Sequence, residues 1–234
     1  MKAYLEPSEV VALEEAAANL RDRLLIRLLF RTGCRVSELV GLAVDDLDLQ
    51  AGTVRVVRLK QRLRVCCSLC GTHLGGCHQF CPGCGEKVAE TVRRALEVRR
   101  MRTLSVDQDT ADMLRKFVSR SGPVTRNGKQ LLFAIGRGQA WRVVSQAARK
   151  AGLAPLVHPE SGKTHGVSPH RLRDAFAVHA VKVDDSGDGL RLLQEHLGHA
   201  SFNTTARYRK VSGQEHREWY GRIWGIPPDP SPEG

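Results

Sequence analysis

Apolar residues recur every three to four positions between Pro7 and Leu20: Val10, Leu13, Ala17 and Leu20 fall on one side, Glu14 and Glu15 on the other, which predicts a helix. The stretch from Arg21 to Phe30, RDRLLIRLLF, continues as a strongly apolar helix until Thr32 and Gly33 break it. A short helix with Val36, Leu39 and Val40 follows, and Arg35 stands at the corner between the two. Past a turn at Ala51 and Gly52 the period changes to alternation, Val54, Val56 and then Leu59, so a strand begins. VAETVRRALEVRRMRTLSV reads as its return, and Asp109 to Ser119 as a helix. From Leu131, strand-like apolar residues lead into a helix with Trp141, Val144 and Ala148 on one face.

The last third reads as helix after helix. Ser168 is the predicted N-cap and Pro169 suits the first turn, which puts His170 and Arg173, three apart, on one face near the positive helix end. Such a face attracts a phosphate. Leu190, Leu193 and Leu197 form the next stripe; Gly198 ends that helix, and His199 leaves its end. Asn203 or Ser201 caps a third helix carrying Tyr208. Val211 to Trp224 predicts a short helix with Trp219 and Ile223 four apart, packed on its own domain. PPDPSPEG is expected to be disordered.

Between the strand and its return lie two knuckles, Cys67-x-x-Cys70-Gly71 and Cys81-x-x-Cys84-Gly85. Each glycine permits the sharp turn that lets both thiolates face one ion, so a structural zinc held by Cys67, Cys70, Cys81 and Cys84 is expected. Cys66, Cys77, His73 and His78 are substitute ligands that keep the identity of the four open. Four protein ligands close a tetrahedral site, which then activates no water. A disulfide pair is the competing reading, disfavoured by a cytoplasmic setting.

Composition sharpens the picture in two ways. With 41% hydrophobic and 26% charged residues over 234 positions, the chain reads as globular. No apolar run spans a bilayer and the first twenty residues are acidic and amphipathic, so a cytoplasmic protein with no membrane partner is expected. The net charge of +11 is uneven: Arg55 to Arg102 carries eleven Lys and Arg against Glu86, Glu90 and Glu97, a surplus of eight. A nucleic-acid backbone is the partner that suits such concentration.

One joint pattern goes further. His170-x-Leu172-Arg173 after Ser-Pro, then Leu197-Gly198-His199, then Tyr208 nine residues beyond that histidine and preceded by Thr-Thr, resembles the signature of the tyrosine recombinases, the lambda-integrase family. RTGCRVSELVGL resembles the family's first box, which implies that Arg35 binds the scissile phosphate. Glu38 then braces the corner, and Cys34 is a small core residue. The resemblance covers roughly residues 5 to 60 and 102 to 215, the catalytic domain alone.

It implies an α+β fold, mainly helical with a small antiparallel sheet, whose β-hairpin is here interrupted by a zinc ribbon. The domain occupies 1-64 and 87-225, the insertion 65-86 and the tail 226-234. In the family a hairpin lysine protonates the leaving 5′ oxygen; Lys60 falls nearest, with Lys87 as the alternative. Tyr208 is then the nucleophile, His170 its base, and Arg35, Arg173 and His199 phosphate ligands. Asp174 stands where the family often has a histidine.

The implied activity is site-specific recombination of double-stranded DNA through a 3′-phosphotyrosyl link, with neither catalytic metal nor nucleotide cofactor. A homo-oligomer, a tetramer on two DNA sites, and accessory factors are the implied partners. The alternatives are a type IB topoisomerase or resolvase-like strand cleavage, and a non-catalytic zinc-ribbon DNA-binding accessory protein.

Overall fold

The computed structural model describes residues 2–75, 78–88, 91–158, 161–199, 201–206 and 208. Its centre is one helix. LRDRLLIRLLFRT forms α2 (Leu20–Thr32), in which Leu24, Leu25, Ile26, Leu28 and Leu29 are all fully buried. Burying each such side chain stabilises the fold by about 1.5–3 kcal/mol, which is why the surrounding helices pack against this one. They are α1 (Pro7–Glu15), α4 (Gln108–Ser119), α5 (Arg137–Lys150) and α6 (Pro169–Val183).

A helix this apolar still carries Arg27, and its surroundings answer the charge. The guanidinium meets Glu14 at 3.1 Å, Asp107 at 3.3 Å and the Thr110 hydroxyl at 2.8 Å. Asp107 is also the N-cap of α4, accepting the Thr110 N–H at 2.9 Å, so one arginine ties α1 and the start of α4 to the central helix.

The predicted helix from Pro7 to Leu20 ends early, at Glu15. Asn19 accepts the Asp22 N–H at 2.9 Å and so caps a new helix, splitting in two what the apolar period joins. At the other end Gly33 adopts φ +56°, turning the chain into α3 (Val36–Leu39). A 3₁₀ turn at Val44–Asp46 and the two-residue β1 (Leu47–Asp48) lead to β2 (Thr53–Cys67), which pairs antiparallel with β3 (Thr91–Ser105).

This pairing exceeds the expectation from sequence. Both strands are 15 residues long and stay in register from Thr53↔Ser105 to Cys67↔Thr91. At a rise of about 3.3 Å per residue the ribbon is about 50 Å long. Its base enters the core through Val54, Val56 and Leu104.

Two further hairpins follow. β4 (Val124–Arg126) and β5 (Lys129–Leu131) meet across Asn127-Gly128, both at positive φ, a turn pair suited to two-residue hairpins. β6 (Leu156–Val157) pairs β7 (Thr164–His165). In α5 the buried face is Ala140, Val143, Val144, Ala147 and Ala148, and Trp141 is 54% exposed. The sequence placed Trp141 with Val144 and Ala148; those two are buried, and Trp141 stands at the exposed edge of the same stripe.

A second apolar cluster joins α6 to α7 (Gly187–Leu197): Ala177, Val178, Val181, Leu190, Leu193 and Leu197, with Tyr208 packed among them. Ser168 takes the N-cap position of α6, yet its side chain makes no capping bond; its carbonyl receives the Arg171 and Leu172 N–H groups instead. α8 (Phe202–Ala206) ends before Tyr208, so the tyrosine follows this helix rather than riding on it. The expected helix at Val211–Trp224 and the tail lie outside the described residues. No helix among the described residues is long and apolar enough to cross a membrane.

Gly33 is a point of close approach between the end of α2 and α6. A Cβ there would overlap Phe176 Cδ1 on α6, and the backbone is left-handed. Gly33→Ala is expected to lower stability by roughly 2 kcal/mol or more in urea unfolding; an unchanged midpoint would mean that α2 and α6 are less closely locked than their geometry indicates.

Candidate active site

Four helix ends converge beside α2. Arg35 is the N-cap residue of α3, with extended backbone, so its side chain leaves a corner rather than a helix face. Arg173 lies one turn inside α6 and is 3% exposed. Gly198, at φ +63°, stops α7 and releases His199 beside it. Tyr208 arrives from beyond α8 and is 4% exposed.

The two arginines meet on one acceptor. Arg35 Nη1 donates to the Leu197 carbonyl at 3.4 Å and Arg173 Nη2 donates to the same oxygen at 2.8 Å. That carbonyl belongs to the last turn of α7, the negative end of its dipole. Arg173 Nη1 also donates to the Gly33 carbonyl. Burial first, and then the neighbouring Arg35 charge, push the Arg173 guanidinium down to about 10, still protonated at neutral pH.

Glu38 supplies the counter-charge. It is buried, accepts the Arg35 N–H at 3.0 Å and pairs with Arg35 Nη1 at 3.2 Å and Arg102 Nη2 at 2.9 Å. Burial works to raise its carboxyl, but the Arg35 N–H and the Arg102 and Arg35 charges outweigh it and hold the group below its ordinary 4.5. Cys34, between Gly33 and Arg35, is buried, and its thiol is pushed up to about 11, chiefly by that burial. It is a packing residue at this pH.

His199 is oriented from both sides. Its Nε2 lies 3.0 Å from Arg173 Nη2, and because a guanidinium only donates, Nε2 is the acceptor. Nδ1 then carries the proton and donates to Thr205 Oγ1 at 2.9 Å, which is neutral imidazole. The Tyr208 ring lies nearly parallel to the imidazole, centroids 6.4 Å apart. The Tyr208 hydroxyl donates to Asp174 Oδ1 at 2.9 Å, and Arg171 Nη1 holds the other oxygen of Asp174 at 3.1 Å.

Thus Arg35, Arg173, His199 and Tyr208 come together. His170 is exposed on the first turn of α6, whereas Arg173 on the same helix is buried, so the two do not present one open face. Lys60 falls on β2 opposite Val98, and its side chain lies outside the described residues. Lys87 is exposed in the second cysteine knuckle, beyond the paired part of the ribbon. Three residues were missed from sequence. Arg102 and Thr205 carry no local signal, one being a basic residue among many and the other half of a Thr-Thr pair. Asp174 stood out only as a departure from the family pattern.

A guanidinium pair with a histidine beside it has the donor set that suits one phosphate, and the tyrosine packs on that histidine. Known proteins place the chain in a family. A family model described as the phage integrase family matches residues 3–215. The tyrosine recombinase XerD of Mycobacterium leprae (strain TN) is 33% identical over 237 aligned residues, covering 93% of this chain and 60% of that protein. The chain therefore spans about three fifths of the length of such curated relatives.

Among solved structures, the XerA recombinase superposes with a TM-score of 0.62 at 23% identity, over 95% of this chain and 65% of that one. The Tn1549 transposon integrase in complex with transposon right end DNA gives 0.61 at 15% identity, over 96% and 66%. These likenesses show the fold, a mainly helical catalytic domain with a small antiparallel sheet.

Glu38→Gln is expected to cost roughly 3 kcal/mol at neutral pH, since it leaves two guanidinium groups without their buried anion. Because the folded carboxyl titrates below 4.5, its stabilisation is complete above that pH and is lost as pH falls through the lower folded value. The gap between wild type and variant in urea unfolding should therefore narrow in acid; a gap constant with pH would remove the charge of Glu38 from the account.

Proposed function

Since the chain belongs to the phage integrase family, we propose that it is the DNA-cutting and rejoining domain of a site-specific recombinase acting on double-stranded DNA in the cytoplasm. The observation that carries this reading is the convergence of Arg35 and Arg173 on the Leu197 carbonyl, with His199 bonded to Arg173 and Tyr208 stacked on His199. A scissile phosphate would take over the arginine donors that now rest on carbonyls.

The chemistry balances without metal or nucleotide. Tyr208 Oη bonds to phosphorus as the P–O5′ bond breaks; the phenolic proton passes to His170, and Lys60 gives its proton to the leaving 5′ oxygen. In-line attack builds charge on the non-bridging oxygens, which the two guanidinium forks meet with donors already in place; His199 joins them as a donor once its Nε2 takes up a proton. Attack by a different 5′ hydroxyl reverses the step and exchanges strands. Strand exchange needs two duplexes, so a homo-oligomer on paired sites, with accessory factors setting direction, belongs to the same proposal.

Asp174 gives this chain a resting state. The Tyr208 hydroxyl donates to the Asp174 carboxylate, and an anion beside a phenol disfavours the phenolate, so Asp174 holds the tyrosine protonated and does not activate it. The hydroxyl has to leave Asp174 before it can reach a phosphate. DNA that draws Tyr208 out of the α6–α7 cluster supplies that release.

Tyr208→Phe is expected to abolish the denaturation-resistant protein–DNA adduct on nicked suicide duplexes and to leave non-covalent binding intact; an adduct that persists discards Tyr208 as nucleophile. Relaxation of any supercoiled plasmid without recombination of paired sites would move the chain to the topoisomerase reading. Asp174→Asn, which removes the anion beside the phenol, is expected to speed adduct formation about tenfold at neutral pH. A slower reaction in that variant would make Asp174 a residue that aims the tyrosine for attack.

A further inference from the structure

Cys67, Cys70, Cys81 and Cys84 bring their Sγ atoms within 4.8 Å of one another where the β2–β3 ribbon ends. We propose that these four thiolates hold one structural Zn²⁺, and that this ion, in place of a tight turn, closes the ribbon. The site is remote in sequence and chemistry from the arginine–histidine–tyrosine corner, and it stands whether or not that corner cuts DNA.

The spacing suits the ion. Zinc bound at about 2.3 Å to four sulfurs in a tetrahedron sets neighbouring sulfurs about 3.8 Å apart. Cys67 and Cys84 lie 3.7 Å apart and Cys70 and Cys81 3.4 Å apart, so the close pairs run between the knuckles and all four thiols face one point. A disulfide needs about 2.05 Å, and the four cysteines are free.

The knuckles are also built alike. Cys67 N–H donates to the Thr72 carbonyl and Gly71 N–H returns to the Cys67 carbonyl; Cys81 N–H donates to the Glu86 carbonyl and Gly85 N–H returns to the Cys81 carbonyl. Gly71 and Gly85 take φ +74° and +77°, the left-handed conformation that bends each loop back on its first cysteine. Donors wait for ionised sulfur: Gly83 N–H points at Cys81 Sγ at 3.3 Å, and the Thr72 hydroxyl lies 3.1 Å from Cys70 Sγ.

The described substitutes stand outside the cluster of four. Cys66 is buried and pairs with His73 through the backbone, outside the cluster. His78 already accepts the Gly75 N–H through Nδ1 at 2.9 Å. Cys77 lies outside the described residues. With four sulfurs in place the site has no open position, so the ion fixes shape and does no chemistry on the substrate. All-sulfur tetrahedra suit zinc or iron, and the experiment separates them.

The ion does more than fill the loop. Cys67 is the last residue of β2, so the ion joins the end of one strand to the loop that enters the other and holds the register from the tip as the core holds it from the base.

Metal analysis of the full chain, prepared under reducing conditions with zinc and iron both in the medium, is expected to count one zinc per chain. Cys70→Ser and Cys84→Ser, both at exposed positions, should each abolish it, and Cys66→Ser should keep it. Chelation of the wild-type chain needs no variant: amide exchange should quicken by roughly tenfold or more in residues 53–67 and 91–105 and stay unchanged in α2 and α6. No metal, iron instead of zinc, or zinc retained by a Cys70→Ser/Cys84→Ser chain overturns the site. Zinc removed with no change in ribbon exchange overturns its closing role.

Discussion

Two guanidinium groups resting on one peptide carbonyl set the terms for this structure. Like charges at such range repel, and Arg173 is buried as well, so the arrangement stands because both guanidinium groups donate to backbone carbonyls and Glu38 supplies a nearby anion. The acceptors are backbone oxygens at helix ends: Gly33 where α2 stops and Leu197 where α7 stops. The corner therefore requires α2, α3, α6 and α7 to end where they do, and the glycines that end two of them are part of the site as surely as its charged side chains.

The same arrangement leaves positive charge in excess. One carboxylate serves Arg35 and Arg102, while Arg173 rests on carbonyls and a neutral imidazole. An anion entering the corner meets donors already oriented, so little reorganisation is required when charge grows on it. The Tyr208 hydroxyl is bonded to Asp174 rather than to this pair, and Arg171 holds the other oxygen of that carboxylate.

How much of this was legible depended on distance along the chain. Helix ends announce themselves within four residues, through Gly33, Gly198 and the apolar stripes of α2 and α7, so Arg35, Arg173 and His199 could be read as corner residues. Interactions between distant segments left no trace: Arg102 and Glu38 are 64 positions apart, and nothing in the alternation of β3 marks one arginine as the partner of that carboxylate. Trp141 misled because an apolar period marks a stripe and not its edges: Val144 and Ala148 of the same stripe are buried while Trp141 stands exposed at its border. The ribbon was underestimated for a related reason: its outer strands are basic rather than apolar, and they pair through backbone hydrogen bonds, which no side-chain pattern reports.

Gly198 has a consequence for the shape of the corner. A Cβ at this position would overlap Arg102 Nη1, so the base of the ribbon and the exit of α7 touch at a point where the backbone has no padding. Arg102 bonds Glu38 through Nη2 at 2.9 Å and with Nη1 occupies the space that a side chain at position 198 would need, so the base of the ribbon is a wall of the corner and any residue larger than glycine beside His199 would have to displace it.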